Sequence, residues 1–282
     1  MAEGEAGKKR AGRDLPAALL VGFGLFFIVI AGLLWAPWAV VALLCGLCGL
    51  AVFEFKDAFS RLGVTLVLTP TLVGVVALIA GAYAAAVSGV LPWHWALWGA
   101  LGGAVIWVLA WRMPKGAKGY VGDVAASVLV LGYLGVLASF PGVVFAMPSG
   151  ALKAAAIFMC VVGSDTGGYA LGATLGRHPM APNISPKKTW EGFLGSWILA
   201  IAVGVLMAVF ALRMPWWVGL LVAAVAVLFG TAGDLVESMV KRDVGIKDMS
   251  SVLPGHGGVM ERLDSLLFAF PAGWALFALL GL

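Results

Sequence analysis

The chain has 282 residues, of which 62% are hydrophobic and only 11% are charged, with a formal net charge of +4. Soluble domains contain about 45–50% apolar residues, so this composition excludes an ordinary soluble globular protein. The three cysteines do not suggest a disulfide framework, because Cys45 and Cys48 form a C-x-x-C inside an apolar run with no second pair. The small net charge does not indicate nucleic-acid binding.

Apolar runs of about 20 residues recur along nearly the whole chain, which is typical of helices that span a bilayer. The alternation of period two that a transmembrane β-barrel requires is absent from the sequence. We therefore predict an all-α fold, a polytopic integral membrane helical bundle. A polar tail (1–14) precedes a single transmembrane domain (15–282), with about nine spans predicted at residues 15–35, 37–54, 64–84, 93–111, 122–143, 151–174, 190–212, 215–237 and 263–281.

The distribution of basic residues predicts the orientation of these spans. With nine spans and a cytoplasmic N-terminus, the inner segments hold 16 of the 18 lysines and arginines, and the outer segments hold only Lys153 and Arg213. This asymmetry follows the positive-inside rule. The predicted outer loops are very short, so we expect the chemistry on the cytoplasmic side of a multi-pass protein of the cell's inner membrane.

An acidic residue lies near the middle of the sixth predicted span. Asp165 stands in VVGSDTGGYALG, among several glycines. A charged side chain at the bilayer centre costs about 2.5–3.5 kcal/mol on insertion scales. One interpretation is a glycine-rich packing seam beside a water-filled gap. The other, which an intramembrane acid favours, is a kinked helix lining a polar cavity, with Asp165 as a ligand of metal or substrate.

More acids lie at the two helix ends that flank the last loop. At the inner end of the eighth span, spacings of i, i+3, i+4 and i+7 place four polar side chains on one face: Asp234, Glu237, Ser238 and Lys241. A snorkelling helix end would explain the lysine, but not two acids on the side where basic residues are preferred. Glu261 and Asp264, again three residues apart, begin the ninth span.

Two loops add groups suited to phosphate. Residues 254–258 read PGHGG, whose glycines could present backbone N–H groups to an anion, although a plain turn is equally compatible. Lys187 and Lys188 follow Ser185-Pro186 before the seventh span. Carboxylates that bind Mg²⁺, with cations around them, suit phosphoryl or nucleotidyl transfer. The residues alone thus predict a membrane enzyme that acts on a phosphate-bearing lipid.

Four motifs carry a family resemblance. They are SDTGGYALGATLG (164–176), SPKKTWEG (185–192), GDLVES (233–238) and SMVKRDVGIKDMSSVLPGHGGVMERLDS (238–265). In this order they resemble the signature of the phosphatidate cytidylyltransferases, or CDP-diacylglycerol synthases. The resemblance covers the C-terminal half of the chain, from about residue 160, while the first half matches only in being several spans.

The resemblance implies the reaction CTP + phosphatidate → CDP-diacylglycerol + pyrophosphate. Together with the residue patterns, it predicts catalytic roles for Asp234, Lys241, Arg242, Asp248, His256, Glu261, Arg262 and Asp264. The predicted substrate contacts are Asp165, Ser185, Lys187, Lys188, Glu191, Glu237, Ser238, Lys247, Gly257 and Gly258. The predicted cofactor is Mg²⁺, with Asp234, Glu261 and Asp165 as ligands and a second metal ion left open.

One residue departs from the family pattern, which has aspartate where this chain has Glu261. Glutamate keeps the charge but adds a methylene, and Mg²⁺ demands near-ideal octahedral geometry. The departure puts the detailed metal geometry in question, and not the family.

Two other functions stay open on the sequence alone. A CTP-dependent polyprenol or lipid kinase would use similar groups, and an ion-coupled transporter would place carboxylates in the membrane. The expected partners are CTP, phosphatidate and membrane lipids, with no nucleic acid and with a homodimer left open.

Overall fold

The computed structural model describes residues 35–250 and 257–282, together with residues 24, 31 and 32. Eight helices in this part of the chain are long and apolar enough to cross a membrane: Pro37–Ser60, Leu68–Ser88, Trp93–Lys115, Tyr120–Phe145, Gly150–Leu175, Trp190–Ala211, Trp216–Val244 and Met260–Leu279. They confirm the second to ninth predicted spans and the helical membrane fold. The tail 1–14, and nearly all of the first predicted span 15–35, fall outside the described residues.

The second to fifth predicted spans contain five α-helices. These are α1 (Pro37–Ser60), α2 (Leu68–Ser88), α3 (Trp93–Arg112), α4 (Tyr120–Val130) and α5 (Phe140–Phe145). A 3₁₀ turn, Met113–Lys115, follows α3. The fifth predicted span is composite, because a π-helical segment (Leu131–Val136) and a 3₁₀ turn (Leu137–Ser139) connect α4 to α5.

The second half of the chain holds four long helices and a short sheet. They are α6 (Gly150–Leu175), β1 (Pro179–Ala181), β2 (Ser185–Thr189), α7 (Trp190–Leu206, continued by a π-helical segment Met207–Ala211), α8 (Trp216–Val244) and α9 (Met260–Leu279). The antiparallel β1–β2 hairpin pairs Pro179 with Thr189 and Ala181 with Ser185. Strands this short leave no periodicity in the sequence, and the hairpin was therefore not predicted.

Helix α8 extends seven residues beyond the predicted end of its span at residue 237. Glu237 and Lys241 form an i, i+4 ion pair, so the polar stripe continues the helix instead of ending it. The helix ends where Gly245 takes a left-handed backbone conformation with φ of 76°, which glycine adopts without steric cost. The C-terminal end of α8 thereby carries its charged residues beyond the apolar part of the span.

Glycines allow the helices of the second half to pack backbone to backbone. A Cβ atom at Gly167 of α6 would overlap the carbonyl oxygen of Gly195 in α7, and a Cβ at Gly195 would overlap that of Gly167. Gly233 of α8 lies in the same way against the backbone carbonyl of Asp264 in α9. These close approaches bring Asp165, two residues before Gly167, and Asp234, next to Gly233, into one small volume.

The predicted inner ends of the third, fourth and fifth spans meet at one end of the bundle. The Arg112 Nε atom lies 2.6 Å from Asp123 Oδ2, and both side chains are buried. The other carboxylate oxygen of Asp123 accepts the backbone N–H of Thr65 at 2.6 Å. This ion pair connects the ends of α2, α3 and α4. At the opposite end, Trp93 packs against Trp274 with ring centroids 5.0 Å apart.

Candidate active site

A cavity of about 420 Å³ lies between α6, the β1–β2 hairpin, α7, α8 and the start of α9. Six of the predicted site residues line it: Asp165, Ser185, Lys187, Lys188, Asp234 and Arg262. They come from four separate segments of the sequence. The structure therefore brings together the predicted acid of the sixth span, the lysine loop and the helix ends around the last loop.

The two acids of this cavity, Asp165 and Asp234, are called the cavity acids below. The Lys188 Nζ atom lies 2.7 Å from Asp234 Oδ2, and the Ser238 hydroxyl donates to the other oxygen, Oδ1, at 3.4 Å. Asp165 interacts electrostatically with Asp234, Lys188 and Arg262. The Asp234 side chain is 37% exposed. Within the described part of the chain, its charge is therefore balanced by a lysine side chain and not by backbone N–H groups.

A buried group of charges lies behind the cavity acids. Lys241 forms an ion pair with Glu237, and its Nζ atom is 3.5 Å from Glu261 Oε1. Glu237 is almost fully buried. Asp264 is also buried, accepts the backbone N–H of Ser265 at 2.6 Å, and interacts electrostatically with both cavity acids. These four predicted site residues are therefore not among the described residues that line the cavity, but they lie close to it.

The hairpin that carries the lysines is held at its base. Glu191 accepts the backbone N–H groups of Arg177 and His178 at 3.1 and 3.2 Å, and it also contacts the His178 imidazole. The Thr189 hydroxyl caps α7 by accepting the N–H of Gly192 at 3.1 Å. These contacts give Glu191 a structural role beside its predicted substrate contact.

Arg242, predicted as catalytic, also contacts the hairpin. Its Nε atom donates to the carbonyl oxygen of Ile184 at 3.1 Å. This bond connects the end of α8 to the β1–β2 turn that precedes the two lysines.

The predicted residues of the last loop are less concentrated. Lys247 and Asp248 are exposed and are not among the described residues that line the cavity. His256 lies outside the described residues. Gly257 has φ of 80°, and the N–H of Gly258 donates to Glu261 Oε2 at 2.9 Å. The two glycines therefore shape the loop base, and their predicted contact with an anion stays a prediction.

The donor set partly fits the predicted metal. Among the described residues, no three acidic, histidine or cysteine side chains lie close enough to hold one ion. Mg²⁺ usually takes only one or two carboxylates and completes its shell with waters and substrate phosphates, a pattern that the cavity acids suit. Glu261 differs, because one of its oxygens accepts the N–H of Met249 at 2.7 Å and the other that of Gly258.

Comparison with known proteins shows the family of the chain. The model of the cytidylyltransferase family matches residues 16–280. Phosphatidate cytidylyltransferases of Mycobacterium bovis and Mycobacterium leprae are each 37% identical to the chain, over 96% of it and 90% of each relative. The enzyme of that name from Staphylococcus epidermidis is 47% identical over 40% of the chain and 44% of its own length. This chain belongs to the cytidylyltransferase family.

The family match confirms the resemblance based on motifs from the C-terminal half, and it extends over the first half as well. The first half also supplies a buried acid, next to the start of α9, that the sequence motifs do not indicate. Glu54 of α1 is 3% exposed, and its carboxylate accepts the N–H groups of Val259 and Met260 at 2.7 and 2.9 Å. A carboxylate at the end of an apolar run was the only available signal, and it resembles an ordinary span boundary.

A second residue that the motifs do not indicate is Tyr133, on the π-helical segment of the fifth predicted span. Its ring packs against Phe55 and Phe268, with centroids 5.9 and 6.0 Å away. The hydroxyl is buried and has no hydrogen-bond partner among the described residues. The charges of Asp264, Glu237 and Asp234 act on it. π-helical segments are frequent at functional sites, so the segment itself directs attention to this hydroxyl.

Proposed function

We propose that this member of the cytidylyltransferase family transfers the cytidylyl group of CTP to phosphatidate, giving CDP-diacylglycerol and pyrophosphate. The observation that carries the proposal is the cavity, which combines the cavity acids with Lys187, Lys188 and Arg262 between membrane-spanning helices. Similarity to phosphatidate cytidylyltransferases over 96% of the chain supports the same reaction. A lipid phosphate and a nucleoside triphosphate are both strongly negative, so a site that binds the two together needs several cations, and these three residues supply them.

In the proposed reaction, a phosphate oxygen of phosphatidate attacks the α-phosphorus of CTP. One P–O bond forms there, the bond to the β-phosphate breaks, and pyrophosphate leaves with the bonding electron pair. The nucleophile is already an anion, so the site needs no strong base. It must instead hold the phosphate of phosphatidate, the α-phosphate and the leaving pyrophosphate close together and in line. This is mainly a task of positioning and electrostatic stabilisation.

The chain's own cations would perform that task. Lys188 is paired with Asp234 in the structure, and an arriving phosphate would compete for its ammonium group. Arg262 lines the same cavity and offers a planar guanidinium that can contact two phosphate oxygens at once. Lys187 adds a further positive charge. We assign substrate positioning to these three residues.

Magnesium is the proposed cofactor. Asp165 and Asp234 would hold it, together with phosphate oxygens and waters, and the ion would supply neutralisation of charge on the phosphates. Both oxygens of Glu261, the third predicted ligand, already accept a backbone N–H group, so an ion would have to share each oxygen with a hydrogen bond. Its metal role therefore stays a prediction with a specific alternative.

The proposal places the cavity on the cytoplasmic side of the inner membrane, where CTP is available. The 16 basic residues of the predicted inner segments, against two in the outer segments, support this orientation. Membrane lipids would surround the bundle and supply phosphatidate. A homodimer, and the expected lack of a nucleic-acid partner, stay predictions.

The decisive experiment supplies the purified full chain in lipid nanodiscs with CTP, Mg²⁺ and phosphatidate. We expect CDP-diacylglycerol and pyrophosphate in equal amounts, and neither when phosphatidate is omitted. A CTP-dependent lipid kinase would instead release CDP and leave a phosphorylated lipid, so product analysis separates the two enzymes. Failure to form CDP-diacylglycerol from any phosphatidate supplied would overturn the proposal.

A further inference from the structure

The loop between α8 and α9 is closed at its base by two carboxylates. At the start of the loop lie Met249 and Ser250, and at its end lie Gly258, Val259 and the first residue of α9. Glu261 contacts both sides, because its oxygens accept the N–H groups of Met249 and Gly258. Glu54 also contacts both sides, because it accepts the Ser250 hydroxyl as well as the N–H group of Val259.

These two acids, called the clasp acids below, meet at Gly258. A Cβ atom at this position would lie against Glu261 Oε2 and Glu54 Oε1. A side chain here would displace the two carboxylates from their present positions, which gives a reason for the last of the three glycines in PGHGG. The clasp therefore depends on residues from three places in the sequence: helix α1, the loop itself and the start of α9.

Glu54 also supplies the N-terminal cap of α9. The first N–H groups of any helix lack partners within the helix, and a side-chain oxygen usually satisfies one of them. The residue in the cap position, Val259, has an apolar side chain that cannot accept a hydrogen bond. Glu54, more than 200 residues earlier in the sequence, accepts the N–H of Met260 in its place. Hydrogen bonds to a carboxylate are stronger than those between neutral groups, and a negative charge at a helix N-terminus interacts favourably with the helix dipole.

The clasp lies next to the cavity. Arg262 and Ser265, which line the cavity, follow Met260 by two and five residues on α9. On the other side, Glu261 lies beside Lys241, which pairs with Glu237. A shift of the first turn of α9 would therefore move the Arg262 guanidinium relative to the cavity acids.

We propose that Glu54 is a positioning residue for the transfer reaction: from the first half of the chain, it fixes the loop base and the first turn of α9, so that Arg262 stands in the cavity. Glu54 is not among the described residues that line the cavity, and it acts through its contacts with Ser250, Val259 and Met260. The kinetic part of this inference rests on the proposed function, whereas the structural part does not.

The test compares Glu54→Gln and Glu54→Ala with Asp57→Asn. Asp57 lies one turn further along α1 with a 77% exposed side chain, so it is a matched control for loss of an acid. Hydrogen–deuterium exchange of the full chain in nanodiscs should show faster exchange at the N–H groups of Val259 and Met260 in Glu54→Ala. Glu54→Gln keeps one carbonyl oxygen but turns an NH₂ group toward an N–H donor, so an intermediate result is expected.

Kinetics of the same samples separate positioning from stability. We expect kcat/KM for CTP to fall about tenfold or more in Glu54→Ala and less in Glu54→Gln, measured per folded molecule, because small displacements of a positioning group are costly. The control should match the wild type. Unchanged exchange at Val259 and Met260, or faster exchange with unchanged kinetics, would overturn the proposal. If the alanine variant does not fold, the glutamine variant decides.

The two proposals can fail separately. If the wild type makes no CDP-diacylglycerol, the proposed function fails, while the exchange experiment still tests the clasp. If the wild type is active and the Glu54 variants behave like Asp57→Asn, only the present inference fails.

Discussion

The cavity acids and the clasp acids lie at the same end of the bundle but differ in what their oxygens contact. Asp234 contacts a lysine ammonium group and a distant hydroxyl. Glu54 and Glu261 each accept two backbone N–H groups. Backbone donors are fixed by the fold, whereas a lysine can exchange one anion for another. The hydrogen-bond partners therefore favour contact with substrate or metal for Asp234 and a structural role for Glu54 and Glu261.

The largest effect is expected for Asp234→Asn. The substitution keeps the shape of the side chain but removes the charge that pairs with Lys188. We expect kcat to fall by about 100-fold or more, the scale of losing one group that stabilises charge in the transition state. The thermal midpoint should change little, because the side chain is partly exposed.

The matched control for this variant is Asp243→Asn, which removes an exposed acid further along the same helix. It should keep the wild-type kcat in the same phosphatidate assay. Full activity of Asp234→Asn would refute its assignment to the cavity chemistry, whatever the control shows.

The cavity acids could be predicted from sequence, and the reason is local. Asp165 stands out because it interrupts an apolar run, and Asp234 because it begins a polar stripe with helical spacing. Both signals need only a few neighbouring residues. The eight described spans are visible for the same reason, since a membrane helix is a continuous apolar run.

Glu261 was predicted as a site residue, but the role of Glu54 in the clasp could not be predicted, because its contacts are distant in sequence and mostly involve the backbone. Glu54 bonds to residues 196 to 206 positions away. A backbone N–H group has no residue-specific signature, so nothing in residues 258–260 indicates a carboxylate partner. Tyr133 was missed for a related reason, since an aromatic residue within a span predicts only packing.

A smaller effect is expected for Glu261→Asp. The direction of the change in activity differs between a metal-binding role and a loop-holding role. This change gives the residue of the family pattern. If Glu261 mainly binds metal, aspartate should preserve or raise activity. If it mainly holds the loop, the shorter side chain cannot reach both Met249 and Gly258, so we expect kcat/KM to fall about tenfold.

Hydrogen exchange adds an independent measurement for this variant. Faster exchange at Met249 or Gly258, with unchanged protection at Met260, would assign the loss to the Glu261 part of the clasp. Wild-type exchange combined with higher activity would instead place Glu261 with the cavity acids and remove it from the clasp.

The smallest effect is expected for Tyr133→Phe, which removes one buried hydroxyl group and keeps the ring. The Tyr133 hydroxyl is buried without a partner among the described residues, and an unsatisfied buried group costs about 1–3 kcal/mol. If it has only a packing role, phenylalanine should stabilise the protein and leave kinetics unchanged. The charges of Asp264, Glu237 and Asp234 act on this hydroxyl, and Tyr133 lies on a π-helical segment. We therefore expect a severalfold lower kcat with an equal or higher thermal midpoint. Tyr120→Phe is the control, since the Tyr120 hydroxyl donates to the Leu109 carbonyl oxygen instead. That variant should lose a little stability and no activity. The opposite pattern for Tyr133→Phe, a lower midpoint with wild-type kcat, would show that the hydroxyl supports the fold and not the acids.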